Sequence, residues 1–461
     1  MCIRDSLQAS RDVNMIGSTA AAERNLNVGA GRDVNVLAGS NSSDQSNWKS
    51  EKHVGLSLES DRNGVTAFLG SEGLKQKSRN AEQTVAPSQL LAGQDATIKA
   101  GRDLTLEGSR VDAGRDINLQ AGRDISIDAG KETSIEERSK SRDRNGLTVN
   151  VSHNYGNTMD ALKGTGKGED NTSKASSVLS TVDAINQFTS GPTTATHFGT
   201  ASQSSSSRQE VHSNSPASLG AGRDISAVAG NDINIRGGQF DAGRDITLVG
   251  RDINVDVARG SVSEESKTAR SQGGINGQSG GGSARAGIGG SNGVASEQMN
   301  QGTNTPSVFL AGRDVSLEAR NNLTLIGTQV QAGRDIDLGA GNDLTIRAAQ
   351  NDSSSESNRH SGGGEVGLAV GGKDFISVYA SVDMGKGQLD RDNQRQQNAN
   401  LVAGDQLRFS SGKDTTIAGA TLRGGEVIGR VGGDLTVSSV PDTGKVSGKE
   451  MDASVTVSIG L

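Results

Sequence analysis

One short phrase returns along the chain at fixed spacing and restricts the fold more than any other feature of the sequence. It consists of a small residue, Gly, Arg, Asp and an aliphatic–polar–aliphatic triplet, as at 113–119 and 121–127. Its Asp positions are separated alternately by 8 and 13 residues, so the full repeat is 21 residues long. A sustained repeat of this length is typical of a solenoid whose successive coils stack on one another.

The residues of each phrase suit one coil of a β-helix. Ile117 and Leu119 flank the polar Asn118, and because side chains alternate along a strand, both aliphatic residues point to the same side. When the next coil stacks above, its aliphatic residues lie on those of the coil below and make a continuous aliphatic core. Gly gives the backbone freedom at a corner, and Asp can bond to its own turn. The positions predicted to form turns and core are Gly101, Asp103, Gly114, Asp116, Ile117, Leu119, Gly122, Asp124, Asp224, Asp232, Asp245, Asp314, Asp335 and Asp343.

Composition agrees with a thin solenoid core. The 461 residues include 64 Gly but only one Trp, two Tyr and seven Phe, whereas a globular chain of this length would use more large apolar residues. The net charge of −7 argues against nucleic acid as the main partner. Because no apolar stretch reaches about 18 residues, no membrane helix is predicted.

The N-terminal hexapeptide 1–6 fits no repeat, and we interpret it as a non-native leader. Without Cys2 the chain has no cysteine, which suits a secreted protein that avoids free thiols. No secretion signal stands at the start, and coils begin near Arg11. We therefore expect an internal fragment of a longer exported chain.

Blocks of coils alternate with polar excursions. The predicted coil blocks are 7–40, 87–130, 216–257, 306–349 and 401–440. The predicted excursions are 41–86, 131–215, 258–305, 350–400 and a truncated 441–461. Pro87, Pro216 and Pro306 each precede the first Asp of a block by eight residues, which marks re-entry into the stack.

The excursions carry their own patterns. Leu147, Val149 and Val151 alternate with polar residues, as do the apolar residues of 455–459, which predicts exposed β-hairpin strands. Residues 273–293 are so rich in Gly and Ser that we expect flexibility there. Within 131–215, apolar residues at helical spacing favour a short helix over 176–189.

No catalytic constellation is visible in the sequence. The five histidines lie apart in excursions, none at metal-ligand spacing, and the Gly-Lys pairs lack the rest of a phosphate loop. The Asp column is open to interpretation as a calcium ladder, but each Asp usually follows an Arg, which makes the column nearly neutral. We predict a non-enzymatic chain with no cofactor, no metal and no small-molecule substrate.

The Ala-Gly-Arg-Asp-Ile-x-Leu phrases resemble the haemagglutinin repeats of filamentous haemagglutinins and contact-dependent growth inhibition proteins, which are very large two-partner-secretion exoproteins of Gram-negative bacteria. The arrangement over 432–460 is similar to the unit of their second repeat region. The resemblance implies an all-β, right-handed parallel β-helix with protruding hairpin or flexible excursions. It also implies export through an outer-membrane two-partner-secretion transporter, display at the cell surface, and contact with the surface or outer membrane of a target cell.

Three functions follow from this interpretation. The first is a delivery segment that helps carry a C-terminal toxin into a neighbouring cell. The excursions favour it, because alternating strands of about ten residues are able to pair within a membrane, although solvent-exposed hairpins show the same alternation. The second is an adhesin stalk, in which only coil length matters. The third, a polysaccharide-processing enzyme, is disfavoured because Trp48, Tyr155 and Tyr379 are too sparse for a sugar platform.

Overall fold

The chain winds repeatedly through three parallel sheets, each circuit adding one strand to each sheet. A computed structural model describes residues 5–61, 64–152, 193–280, 282–371 and 376–460. The first coil sheet contains β1 (Asp5–Ala9), β4 (Leu26–Ala30), β9 (Ala96–Ala100), β12 (Ile117–Ala121), β17 (Ile225–Ala229), β20 (Ile246–Gly250), β25 (Val315–Ala319), β28 (Ile336–Ala340), β33 (Gln406–Ser411) and β36 (Glu426–Val431).

The other two parallel sheets follow in each circuit. The second coil sheet contains β2 (Val13–Ile16), β5 (Val34–Leu37), β10 (Leu104–Glu107), β13 (Ile125–Asp128), β18 (Ile233–Arg236), β21 (Ile253–Asp256), β26 (Leu323–Ile326), β29 (Leu344–Arg347), β34 (Thr415–Ala418) and β37 (Leu435–Ser438). The third contains β3 (Thr19–Ala22), β8 (Gln89–Ala92), β11 (Arg110–Ala113), β16 (Ala217–Ala221), β19 (Gly238–Ala242), β24 (Val308–Ala311), β27 (Gln329–Ala332), β32 (Ala399–Ala403) and β35 (Ala420–Arg423).

The core lies inside the coil, between the three sheets. Ile117 pairs with Ala96 in one neighbouring coil and with Ile225 in the other, so apolar residues form columns along the stack. Ile117 and Leu119 are 0% and 1% exposed, as alternation along the strand requires. In the third sheet, Phe240 and Phe309 stack with ring centroids 4.6 Å apart. The predicted all-β parallel β-helix is confirmed.

The excursions form a fourth, antiparallel sheet of nine long strands, here called the hairpin sheet. Its strands, in spatial order, are β38 (Thr443–Gly460), β31 (Ile376–Gln397), β30 (Ala349–Val370), β23 (Ser283–Thr305), β22 (Ala258–Gly280), β15 (Thr193–Ser215), β14 (Gly130–Ser152), β7 (Gly64–Ala86) and β6 (Gly39–Asp61). Strands from different excursions pair directly, as β7 does with β14. The excursions therefore support one another instead of projecting separately.

All hairpins leave the coil at one corner, between the second and third coil sheets, and only on alternate coils. β5 is followed by the hairpin β6–β7, whereas β10 runs directly into β11. Neighbouring strands lie about 4.8 Å apart, so two coils rise about 9.6 Å, which equals the width of one two-stranded hairpin. Because these distances match, the hairpin sheet and the β-helix can both continue without strain.

Coils without a hairpin, here called plain coils, turn this corner on a glycine. Gly17, Gly108, Gly237, Gly327 and Gly419 occupy these corners with φ between 50° and 65°. A Cβ on Gly108 would lie 2.9 Å from the Gly130 Cα and 3.1 Å from the Ala38 Cβ. The plain corner thus fits between the roots of two hairpins, where both the left-handed turn and the close approach favour glycine.

The flexibility expected for residues 273–293 is wrong for the described residues of that range. Gly273 pairs with Gly290, and Gly280 pairs with Ser283, inside the hairpin sheet. Gly and Ser are tolerated there because neighbouring strands impose the extended conformation. The first strand begins at Asp5, inside the hexapeptide set aside as a leader. The helix expected at 176–189 lies outside the described residues.

Candidate interaction surface

The predicted turn residues lie at the two corners of the coil that carry no hairpins. At many of these corners an Arg forms a two-pronged salt bridge with the Asp of the preceding coil: Arg115 Nε lies 3.0 Å from Asp95 Oδ1, and Arg102 Nε lies 3.0 Å from Asp33 Oδ1. The corner before the first coil sheet holds Gly114, Asp116, Asp224, Asp245, Asp314 and Asp335. The corner before the second coil sheet holds Gly101, Asp103, Gly122, Asp124, Asp232 and Asp343.

Close backbone stacking explains the glycine at these corners. A Cβ on Gly114 would lie 2.2 Å from the Gly93 carbonyl oxygen of the coil below, and one on Gly101 would lie 2.1 Å from the Gly31 carbonyl oxygen. Such distances leave no room for a side chain. Glycine at positions 101 and 114 is thus required by the stacking distance of the coils, and the geometry assigns it no chemical role.

The Arg–Asp ladders use the carboxylate oxygens that a cation would need. The Arg223 guanidinium, hydrogen-bonded to Asp116 at 3.0 Å, holds the pKa of that carboxyl below its ordinary value. Asp116 Oδ1 also accepts the backbone N–H of Asp224. Across the described residues, no group of three or more His, Cys, Asp or Glu side chains is placed to hold a metal ion.

The hairpin sheet has two different faces. One face carries Gly55, Phe68 and Tyr379, and is here called the polar face. Phe68 and Tyr379 are only 4% and 6% exposed, and Arg144 lies 5.2 Å from the centre of the Phe68 ring. Burial and a hydrogen bond to Glu365 raise the pKa of Tyr379 to about 12. The polar face therefore covers its aromatic side chains.

A row of glycines crosses six strands of the polar face. Its members, paired across neighbouring strands, are Gly55, Gly70, Gly146, Gly199, Gly274 and Gly289. Gly146 and Gly274 have φ of 155°, and a Cβ on Gly146 would lie 2.3 Å from the Leu69 carbonyl oxygen. Glycine rows of this kind let a sheet kink, and this one runs beside the aliphatic rows of the opposite face.

The opposite face, here called the apolar face, exposes its aliphatic side chains. One row crosses all nine strands and consists of Leu56, Leu69, Leu147, Phe198, Ile275, Ile288, Val366, Ala380 and Val457. Leu56 is 62% exposed and Ile288 69%. Further exposed residues of the same face are Val54, Leu58, Val65, Val151, Leu368, Val370, Ile376, Val378, Val382, Val455 and Ile459.

These rows form one patch, here called the apolar zone, in which the row of Leu56 is apolar on all nine strands. The row of Val54 and the row of Ser60, which border it, also carry Ser, Thr, Asn or Gly. The apolar zone reaches from the row of Val54 to the row of Ser60, about 20 Å along the strands, and about 38 Å across them. Soluble monomers rarely expose apolar patches of more than a few hundred Å², and larger ones mark sites of interaction. The apolar zone is therefore the strongest candidate for a functional surface in the described chain.

Sequence reasoning recognised the alternation at 147–151 and 455–459 but missed that all these strands share one face. The alternation within one strand indicates only that the strand has an apolar side and a polar side. It does not report which distant strand lies beside it. The pairing of Leu147 with Leu69 and of Ala380 with Val457 depends on the register set by the coil.

Within residues 5–61, 64–152, 193–280, 282–371 and 376–460, no helix is long and apolar enough to cross a membrane.

Comparison with known proteins gives one family. The family model described as hemagglutinin repeat matches residues 5–141, 69–191, 198–325 and 291–453. A deoxyribonuclease CdiA of Dickeya dadantii is 28% identical over 165 residues, which is 35% of this chain and 5% of that protein. A tRNA nuclease CdiA of Escherichia coli strain NC101 is 28% identical over 160 residues, covering 34% and 5%.

A third relative has a higher identity over a shorter stretch of the chain. A tRNA nuclease CdiA of Yersinia mollaretii is 34% identical over 109 residues, covering 23% of this chain and 4% of that protein. The chain thus spans only about one twentieth of the length of these relatives. No solved structure matches the chain.

Proposed function

Because this chain belongs to the hemagglutinin-repeat family, we propose that it is a non-catalytic filament segment of a large exoprotein that helps to carry a toxin into a neighbouring cell. The hemagglutinin repeat is a module of secreted, cell-surface exoproteins of Gram-negative bacteria. The names of the relatives describe nuclease activities of those proteins, of which the aligned part is 4% to 5%. For this chain we propose transport by an outer-membrane partner during secretion and contact with a target cell.

The observation that supports a delivery role is the apolar zone of the hairpin sheet. Strands that enter a membrane need their backbone groups paired, and in the hairpin sheet every strand between β6 and β38 is paired on both sides. They also need apolar residues at every second position, as Ile376, Val378, Ala380, Val382 and Met384 supply in β31. We propose that this zone contacts the outer membrane of the target cell.

Fluorescent labels on the two faces of one strand test this contact. With Cys2 replaced by Ser, Leu56→Cys places an environment-sensitive dye on the apolar face, and Ser57→Cys places it on the polar face of the same strand. Added outer-membrane vesicles should shift the emission of the dye at residue 56 to the blue and leave that at residue 57 unchanged. Equal responses at both positions, or none, would refute the proposal.

An adhesin stalk remains the second candidate, favoured by the unbroken stack of coils. The ten strands of the first coil sheet span about 43 Å, and the hairpins do not interrupt them. Deleting residues 225–314 in the full-length exoprotein removes two coils with their hairpin and separates the candidates. A stalk should keep adhesion with a shorter reach, whereas a delivery segment should still bind cells but lose growth inhibition.

A further inference from the structure

The apolar face is divided into zones along the strands, and positive charge is concentrated in one of them. Three successive rows next to the apolar zone, on its coil-proximal side, carry six lysines, here called the lysine belt: Lys52, Lys75, Lys77, Lys267, Lys386 and Lys449. The same three rows contain a single acidic residue, Asp143. The lysines come from five different strands, so only the register of the sheet brings them together.

The charge of the lysine belt is not neutralised by neighbouring side chains. All six lysines are exposed, and none forms a salt bridge with another residue in the part of the chain that the structure describes. Closer to the coil, the next rows of the same face carry acidic residues, and there Arg79 pairs with Asp44 and Arg208 with Glu137. The apolar face therefore passes from apolar to cationic to acidic from the hairpin tips to the coil.

The polar face at the same distance from the coil is arranged differently. Most of its cations are paired: Arg144 with Glu72 at 3.0 Å, Arg359 with Glu450 at 2.9 Å, and Lys49 with its neighbour two residues along at 2.6 Å. Among the described residues, Lys140 and Arg270 of this face form no salt bridge. Basic and acidic residues alternate on this face without a zone of one sign. A zone of positive charge beside an apolar patch is thus a property of the apolar face only.

Trp48 and the lysine stems add a second feature of this zone. Trp48 is 68% exposed and lies directly opposite Lys77 within the lysine belt. Tryptophan is enriched at the level of lipid headgroups, where an apolar ring with one polar group is favoured. Lysine can lay its aliphatic stem on apolar surface and reach headgroup phosphates with its ammonium group. Both residue types suit the boundary between acyl chains and headgroups.

We propose that the lysine belt binds the anionic phosphate groups of a lipid surface while the adjacent apolar zone lies in the acyl layer. This rests on the proposed membrane contact and adds a requirement for anionic headgroups. The row of Lys52 lies four residues, about 13 Å, from the row of Leu56, so the sheet must tilt with its tips lowest. The acidic rows beyond the belt are repelled by the same headgroups, which stops entry before the coil reaches the membrane.

Vesicle binding by a charge-neutral variant tests the belt. The probes are vesicles of phosphatidylcholine, with or without about 30 mol% phosphatidylglycerol to supply negative charge. The variant combines Lys52→Gln, Lys75→Gln and Lys77→Gln, which lie on exposed positions of two adjacent strands. Each lysine near an anionic surface strengthens binding about fivefold, so the triple variant should bind the anionic vesicles about 100-fold more weakly.

A matched variant on the polar face controls for net charge. It combines Lys49→Gln, Arg138→Gln and Lys140→Gln, which removes the same charge from the opposite side of β6 and β14. Its binding should remain within about fivefold of the parent, because these side chains point away from the lipid. An equal loss of vesicle binding in both variants would refute the proposed role of the lysine belt, since general electrostatic attraction would then explain the binding.

Two further outcomes separate the belt from the function beneath it. If the parent binds both kinds of vesicle equally and the belt variant binds as well as the parent, the lysine belt is refuted and the proposed membrane contact stands. If the parent binds neither kind of vesicle, both the proposed membrane contact and the proposed role of the lysine belt are refuted. Far-ultraviolet circular dichroism identical to the parent establishes that both variants keep the β-sheet fold.

Discussion

Removing one plain coil should dismantle the hairpin sheet while leaving the β-helix stacked. Deleting residues 96–116 joins Asp95 directly to Ile117, so β12 takes the place of β9 on top of β4. The coil repeat is kept and the aliphatic columns continue. The hairpins β6–β7 and β14–β15, however, now leave from adjacent coils.

The geometry gives the size of the effect. Adjacent coils are separated by about 4.8 Å, but the two strands of a hairpin occupy about 9.6 Å. The space available to each hairpin is therefore too narrow by about one strand width. The boundary that must yield is β7–β14, in which 20 residue pairs face each other. At about one hydrogen bond per pair and about 0.5 kcal/mol per bond, separation costs about 10 kcal/mol.

Hydrogen exchange measured by mass spectrometry follows both structures at once. Amides of 64–83 and 133–152 should exchange faster in the deletion variant, while those of 117–121 in the coil stay protected. A second variant lacking residues 225–314 joins Asp224 to Val315 and removes two coils together with their hairpin, so its remaining hairpin strands should stay protected. Unchanged protection at 64–83 in the first variant would refute the reasoning that coil rise sets the hairpin register.

Other substitutions give smaller, local effects. Gly108→Ala should destabilise its coil by about 2–4 kcal/mol, because φ is 50° and the new Cβ meets backbone at 2.9 Å, whereas Gly29→Ala meets nothing closer than 3.8 Å; urea unfolding of both variants measures the difference. Ile117→Ala should cost about 2–5 kcal/mol through the cavity it leaves, and the 51% exposed Ile275→Ala less than about 1 kcal/mol, by the same assay. Because the pKa of Asp116 is lowered in the folded state, its stabilisation is complete above the unfolded pKa of about 3.9 and is lost as pH falls through the folded pKa. Thermal melts from pH 7 to pH 2 should show the Tm falling below about pH 4, and less steeply after Asp116→Asn; identical slopes would contradict the ladder.

The coil could be predicted from the sequence because its information is local and repeated. A triplet such as Ile117–Leu119 indicates which side of the strand is buried. The 21-residue spacing indicates which residues lie above and below it in the neighbouring coils. Stacking identical units needs no further choice of partner. For this reason the β-helix and the inward position of its aliphatic residues followed from one pattern.

The hairpin sheet could not be predicted in the same way, because its pairing is set at a distance. Asn145 faces Ser71, a residue of a different excursion, and no turn residue connects the two strands. The register follows from the rise of two coils per hairpin, which is a property of the assembled stack. Even Gly274, in a Gly-rich stretch with poor strand propensity, is held between paired neighbours. The apolar zone and the lysine belt depend on that register, so they could not be predicted from the sequence either.

Some of the missing information was nevertheless present in the sequence. Gly108 and Gly237 lie between two strand patterns without the Arg-Asp that follows glycine at the other corners. This difference marks the coils that turn without a hairpin. A glycine that breaks the standard phrase therefore indicates the alternation of plain and hairpin-bearing coils.

Disulfide trapping between two different hairpins tests the matched rise of coils and hairpins most directly. In a chain with Cys2 replaced by Ser, Ser71→Cys and Asn145→Cys stand opposite each other, with Cα atoms about 4.5–5.5 Å apart, which a disulfide can span. The control pair, Ser71→Cys with Ser141→Cys, is displaced by four residues, about 13 Å, and is out of reach. We predict rapid intramolecular cross-linking of the first pair under mild oxidation and none of the second. Equal cross-linking of both pairs, or none of either, would contradict a hairpin sheet held in register by the β-helix.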